Sequence, residues 1–127
     1  MEILEEVVGD TRVVVISGRL DGAASTGFAE RVGALAAAEK PKLLVDFGGV
    51  DFVTSAGLRA VLQVLKRVKA SGGVFALCSV QAPVLEVLDI SGFTAMLRIH
   101  PERAEAIAAM ASYGGAPHQP YINFFKY

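Results

Sequence analysis

Apolar and polar positions alternate in two rhythms along this chain. Residues 3–8 and 12–17 are rich in Val and Ile with Gly9-Asp10 between them, which predicts a β-hairpin. Asp21 then suits a helix N-cap, and Phe28, Val32 and Leu35 mark the buried face of a first helix over residues 23–38. Gly27 and Gly33 lie inside that helix, where each costs up to about 1 kcal/mol against alanine; close packing on the sheet is the expected compensation. After Pro41, residues 42–47 (KLLVDF) read as a buried strand ending in Gly48-Gly49. A short loop and a central helix fill residues 50–68. Leu58, Val61, Leu62, Leu65 and Val68 share one face of that helix, with Arg59, Gln63, Lys66 and Arg67 mostly on the other.

Ser71-Gly72-Gly73 stops the central helix, and a strand containing Phe75 and Leu77 follows. Pro83 suits the first turn of a third helix that points Val84, Leu85 and Leu88 inward and stops at Gly92. A short strand over residues 96–99 comes next. Pro101 opens a fourth helix with Glu102 and Glu105 in its first turns, complementing the dipole, and Ala104, Ile107, Ala108 and Ala111 as its inner stripe. The order β-β-α-β-α-β-α-β-α predicts an α/β layered domain: a mixed, mostly parallel β-sheet packed against about four α-helices.

At 127 residues the chain is expected to form one domain, over residues 1–112. Residues 113–127 differ. They hold Gly114-Gly115, Pro117, Pro120 and half of the aromatics: Tyr113, Tyr121, Phe124, Phe125 and Tyr127. Such a density argues against a disordered tail. It fits a segment packed on its own domain or on a second copy, giving a homodimer, or one foreign to the domain altogether.

A net charge of −1 gives no electrostatic case for nucleic acid or for an acidic membrane surface. Lys66, Arg67 and Lys69 read as a solvated helix face. Cys78 is the lone cysteine, set in an apolar run, so it reads as a small buried residue in a reducing compartment. Glu2, Glu5 and Glu6 break any signal-peptide pattern, and no apolar run reaches bilayer length. A soluble cytoplasmic protein without membrane insertion is the expectation.

Catalytic patterns are missing from the sequence. Gly48-Gly49 and Gly72-Gly73 lack the Lys-Ser/Thr of a P-loop, no G-x-G-x-x-G follows a strand, and T-S-A-G around Ser55 is not G-x-S-x-G. The two histidines fall in the tail (His118) and before Pro101, where His100 is expected to cap the fourth helix. No Cys/His cluster offers a metal site; Asp46 is expected to end its strand and Asp51 to order the following loop. The chain therefore reads as a recognition module without catalysis, cofactor or metal.

Thr54 and Ser55 stand where the central helix needs an N-cap, because a hydroxyl can accept from amides two or three residues on. Two readings follow. The hydroxyls only cap the helix, or one of them stands exposed at the positive end of a dipole that favours added negative charge. A phosphate there carries about −1.5 to −2 charges, and Arg59, four residues after Ser55, is within reach of it.

Residues 43–65, LLVDFGGVDFVTSAGLRAVLQVL, resemble the signature of the STAS domain, the sulphate-transporter and anti-sigma-factor-antagonist family. The likeness runs from about residue 2 to residue 110. Ser17-Gly18-Arg19-Leu20-Asp21 is similar to the family's v-x-G-x-L-D, Gly72 to Leu77 to its G-G-x-l-x-L, and Val87 to Phe93 to its v-L-x-l-x-G-l/f. The resemblance implies an anti-sigma factor antagonist. Such a protein binds an anti-sigma serine/threonine kinase and frees a sigma factor, until the kinase phosphorylates a serine at the start of the central helix. A PP2C-type phosphatase reverses the modification. Ser55-Ala56-Gly57-Leu58 fills S-x-G-L of the family's D-S-x-G-L, so Ser55 is the matched acceptor. Thr54 replaces the Asp and is the second candidate. The implied docking face holds Asp21, Asp51, Val53, Thr54, Ser55, Ala56, Gly57 and Arg59. The other reading within the family is an unphosphorylated subunit of a transporter or stress-signalling complex.

Overall fold

Each parallel strand of the sheet is reached from the one before it through a helix. The computed structural model describes residues 1–113. The strands are β1 (Glu2–Val8), β2 (Thr11–Leu20), β3 (Lys42–Val53), β4 (Val74–Cys78) and β5 (Arg98–His100). The helices are α1 (Gly22–Leu35), α2 (Ser55–Ala70), α3 (Ala82–Ile90) and α4 (Arg103–Ser112). The sheet order is β1-β2-β3-β4-β5, with β1 antiparallel to β2 and every other pair parallel. This is the mixed, mostly parallel sheet with four helices that the alternation predicts.

The order steps one way across the sheet. Right-handed crossovers therefore put α1, α2 and α3 on a single face. There Phe28, Val32, Val61, Leu65, Val84 and Leu88 close over Val14, Ile16, Val45, Phe47 and Leu77 to form the main core. On the opposite face Ala106 and Met110 of α4 meet Val13, Leu44, Ala76 and Cys78 in a smaller one. Asp21 caps α1, accepting from the Ala24 amide at 3.0 Å. Pro83 occupies the first turn of α3, and Gly92 follows that helix at φ +80°, a conformation glycine adopts without strain.

Several elements depart from expectation. Gly48-Gly49 does not end β3, which runs on to Val53, because β2 also continues to Leu20 and supplies partners: Ser17 to Gly49, Gly18 to Val50, Leu20 to Val53. A Cβ on Gly49 would lie 2.6 Å from that of Ser17, so glycine here permits close strand approach. Asp46 thus lies within β3, and Asp51 stands exposed in the same strand, not in a loop. In α1 neither glycine packs on the sheet: Gly27 meets nothing within 4 Å, and a Cβ on Gly33 would sit 2.8 Å from the guanidinium of Arg67 in α2. Leu35 and Leu62 are half-buried, whereas Val64 is fully in the core.

α4 is turned differently from the expected stripe. Its alanine-rich sequence has no clear apolar period, and Arg103 sets the rotation. Arg103 Nε donates to Asp46 Oδ2 at 2.9 Å and its Nη1 to Glu6 Oε1 at 2.8 Å. Ala106 and Met110 follow at helical spacing and face inward, while Ala104, Ala108 and Ala111 are exposed. Asp46 raises the Arg103 pKa further above its already high value. Tyr113 closes α4 and places its ring 4.0 Å from the Arg98 guanidinium carbon. The remaining aromatics of the tail, His118 and the expected homodimer through that tail lie outside the described residues. No helix among the described residues is long and apolar enough to cross a membrane.

His100 does not cap α4. It is the buried last residue of β5, beside Cys78 in the register, and Glu102 takes the N-cap position without a side-chain bond. Burial pushes the Cys78 thiol up to about 11, with Asp46 adding to the effect. Burial also lowers the His100 pKa, Arg98 adds to the lowering, and Glu105 opposes it.

The folded state therefore disfavours the protonated form of His100 relative to the unfolded chain, which takes up that proton near pH 6.5. The sign follows: the unfolded state binds more protons below that pH, so stability falls as pH drops, by at most about 1.4 kcal/mol per unit for one proton. Urea midpoints at pH 7.5 and 5.5 should decline for the wild type and decline less for His100→Gln. Equal declines would remove His100 as the cause.

Candidate functional site

Two strands end level with one another at the carboxyl edge of the sheet. Leu20 of β2 pairs with Val53 of β3, and the next residue of each chain segment is a helix cap. Asp21 caps α1 and Thr54 caps α2, so two helix N-termini open side by side. The Leu20 carbonyl ties them together by accepting from the Thr54 amide at 3.1 Å. α2 comes so close at this point that a Cβ on Gly57 would lie 2.3 Å from the Leu20 oxygen. Only glycine fits there, which gives a physical reason for the Gly of S-x-G-L.

A helix leaves its first four amides without partners inside the helix. Here the Thr54 amide goes to Leu20, and the Gly57 amide goes to Thr54 Oγ1 at 3.3 Å. Among the described residues, those of Ser55 and Ala56 have no acceptor and stand at the tip. The two hydroxyls of the sequence pair therefore divide. Thr54 is half-buried and engaged as the cap, while Ser55 is the first helical residue and is exposed. α2 has no acidic residue in its first turn and carries Arg67 and Lys69 in its last. The tip at Ser55 is thus electropositive from the dipole with no carboxylate on the helix itself to offset it.

The other expected face residues gather around this edge. Asp21 is partly exposed and 3.9 Å from Arg19 Nε. Asp51 and Arg59 are exposed, Val53 and Ala56 are half-buried, and Gly57 is buried, serving the approach of α2 and not the surface. Two residues escaped the sequence reading. Arg19 lies with its guanidinium carbon 4.2 Å from the centre of the Phe52 ring, and Phe52 remains 42% exposed. Their register pairing across β2 and β3 brings them together, and the alternation that signals it becomes visible only once β3 is seen to continue past Gly49. Among the described residues no three His, Cys, Asp or Glu side chains are grouped to hold a metal ion. Asp46 is engaged with Arg103, and His100 is buried in β5 beside Cys78.

The family model described as the STAS domain matches residues 2–106. BtrV of Bordetella bronchiseptica, named as a candidate anti-sigma factor antagonist, is 36% identical over 94 residues, covering 71% of this chain and 81% of BtrV. Among solved structures, a STAS-domain anti-sigma-factor antagonist from Planctomyces limnophilus superposes with a TM-score of 0.79 at 29% identity, covering 86% of this chain and 97% of that one. The phosphorylated form of the Bacillus cell-fate determinant SpoIIAA superposes at 0.67 and 22% identity, over 85% of this chain and 98% of its own, a likeness of fold.

The division of the hydroxyls has measurable consequences. Thr54→Ala should cost about 1 kcal/mol through loss of the cap, whereas Ser55→Ala should stay within about 0.5 kcal/mol of wild type. Gly57→Ala should cost about 1–3 kcal/mol, as an overpacked site does. Chemical denaturation of the three variants tests the order; an equal cost for Thr54→Ala and Ser55→Ala would contradict it.

Proposed function

The chain belongs to the STAS domain family, and from that premise we propose that it is an anti-sigma factor antagonist switched by phosphorylation of Ser55. The observation that carries the proposal is the exposed Ser55 hydroxyl at the first position of α2, with the Thr54 hydroxyl engaged as the cap by the Gly57 amide and the Ser55 and Ala56 amides without an acceptor among the described residues. BtrV and the Planctomyces limnophilus protein are both named as anti-sigma factor antagonists, which supports the class.

The mechanism is a change of surface charge on an unchanged fold. Unmodified, the edge formed by Asp21, Asp51, Val53, Thr54, Ser55, Ala56 and Arg59, with Phe52 and Arg19 beside it, docks an anti-sigma serine/threonine kinase and so releases the sigma factor that the kinase held. The kinase transfers the γ-phosphoryl group of ATP to Ser55 Oγ: the Oγ–P bond forms, the bond to ADP breaks, and the serine proton passes to the kinase's base. The phosphate lies at the positive end of α2 and leaves the core untouched. The docked partner, however, would have to desolvate about two negative charges, and the complex separates. A PP2C-type phosphatase hydrolyses the phosphoester and resets the surface. The chain itself contributes no catalytic group; it is substrate and ligand in turn.

Thr54 in place of the family's Asp leaves the acceptor without a neighbouring carboxylate, and the Thr54 hydroxyl is committed to Gly57. Incubation with the anti-sigma kinase and ATP should place phosphate on Ser55 and not on Thr54 by peptide mapping. In calorimetric titrations Ser55→Ala should bind the kinase as tightly as wild type before and after ATP treatment, and Ser55→Asp should bind at least about tenfold more weakly. Tight binding by Ser55→Asp, or phosphate on Thr54, would overturn the switch.

A further inference from the structure

Beside the Ser55 edge a groove runs down the length of α1 and α2. It consists of two adjoining cavities of about 300 and 310 Å³, which share Ala29, Glu30 and Gln63 in their lining. Arg59 lines the upper cavity, at the Ser55 end, and Arg67 the lower one. The charged side chains of this groove are Arg59 and Arg67 at its two ends and the Glu30 carboxylate between them. Arg12 and Arg31 pair with Glu5, Arg19 with Asp21, Arg103 with Asp46 and Glu6, and Arg98 stacks on Tyr113. Among the described residues the side chains of Arg59 and Arg67 have no ion pair or hydrogen bond. Gly33 bears on this directly: its missing Cβ leaves room for the Arg67 guanidinium against α1, at the wall of the groove.

We propose that this groove seats one helix of the partner kinase, presenting acidic side chains to Arg59 and Arg67 and a basic one to Glu30 between them. The proposal rests on the functional reading given above and extends it from the helix tip to the body of α1 and α2. The two arginines are eight residues apart, roughly 12 Å along the axis of α2. A helix lying between α1 and α2 meets both if it carries Asp or Glu seven or eight residues apart. Alanines at positions 29, 34, 56 and 60 line the groove and let a third helix approach to ordinary packing distance, about 8–10 Å between axes. Arg59 also lies one helical turn after Ser55, where side chains four residues apart meet. A phosphate on Ser55 therefore competes with the partner's carboxylate for the same guanidinium. Modification weakens the upper half of the groove as well as the tip.

The test is calorimetric titration of the full-length protein with the purified anti-sigma kinase that phosphorylates it. Arg59→Glu and Arg67→Glu are each compared with Lys66→Glu, an equal charge change on an exposed residue of α2 outside the groove. Arg59→Glu and Arg67→Glu should each weaken binding at least about tenfold, Lys66→Glu less than about twofold, and all three should melt as wild type does. An equal loss with Lys66→Glu would reduce the effect to overall charge and overturn the groove. So would wild-type binding by Arg67→Glu while Ser55→Asp still fails to bind, an outcome that leaves the Ser55 switch standing. Sedimentation showing a dimer that Arg67→Glu dissolves would assign the groove to a second copy instead. Failure of both wild type and Ser55→Ala to bind any anti-sigma kinase would remove the functional reading, and the groove's occupant with it.

Discussion

The Leu20 carbonyl is the point on which the arrangement of this surface depends. It ends β2, receives the Thr54 amide, and lies against Gly57 with no space for a side chain between. An unpartnered buried carbonyl is costly, on the order of 1–3 kcal/mol. The start of α2 is therefore held in one place relative to the end of β2, and the cap, the open amides and the Ser55 hydroxyl are held with it. A recognition site assembled from loops alone would give its hydroxyl far less positional definition. Here the hydroxyl sits at the junction of a sheet edge and a helix, so the site inherits the rigidity of the core beneath it.

The same economy governs the sheet. Stepping β2, β3, β4 and β5 in one direction forces three crossover helices onto one face. The other face would be bare without α4, and α4 is weakly amphipathic. Its docking leans on Arg103, which links β1 through Glu6 and β3 through Asp46. The polar row of Asp46, Cys78 and His100 beneath that helix is thus part of how the second face is closed.

How far the sequence reveals this depends on whether the deciding contact is local. Element order and type were legible because alternation, Asp21 as a cap, Pro83 in a first turn and Gly92 after a helix are all short-range signals. The same is true of Thr54 and Ser55 as a helix start. Gly48-Gly49 misled because a glycine pair looks like a terminator until the partner strand is known, and that partner is β2, far back in the chain. The face of α4 misled because its rotation is set by an ion pair to Asp46, 57 residues away, and not by an apolar period. His100 was placed by its nearness to Pro101, whereas pairing with β4 decides its burial. At the site, the family resemblance ranked Ser55 above Thr54, but which hydroxyl caps the helix was open until the Gly57 amide was seen to choose Thr54. Arg19 and Phe52 meet only through strand register, so no local motif announces them.

The switch proposed for Ser55 has to satisfy two opposed demands, and the geometry there suits both. The modified protein must stay folded, so the added charge has to sit where it is tolerated. At the first position of a 16-residue helix, a negative charge is favourable by roughly 0.3–1 kcal/mol. The complex must nevertheless come apart, so the same charge has to be costly once a partner covers it. Removing an ionised group from water costs several kcal/mol unless it is fully paired, which exceeds the gain from the dipole. The two terms act on different states: the dipole acts in the free protein and desolvation acts only in the complex. Their difference falls on affinity, leaving fold stability nearly unaltered. A hydroxyl half-buried as a cap, as at Thr54, could not serve, because phosphate there would break the bond to Gly57 and disturb the packing of α2 against Leu20.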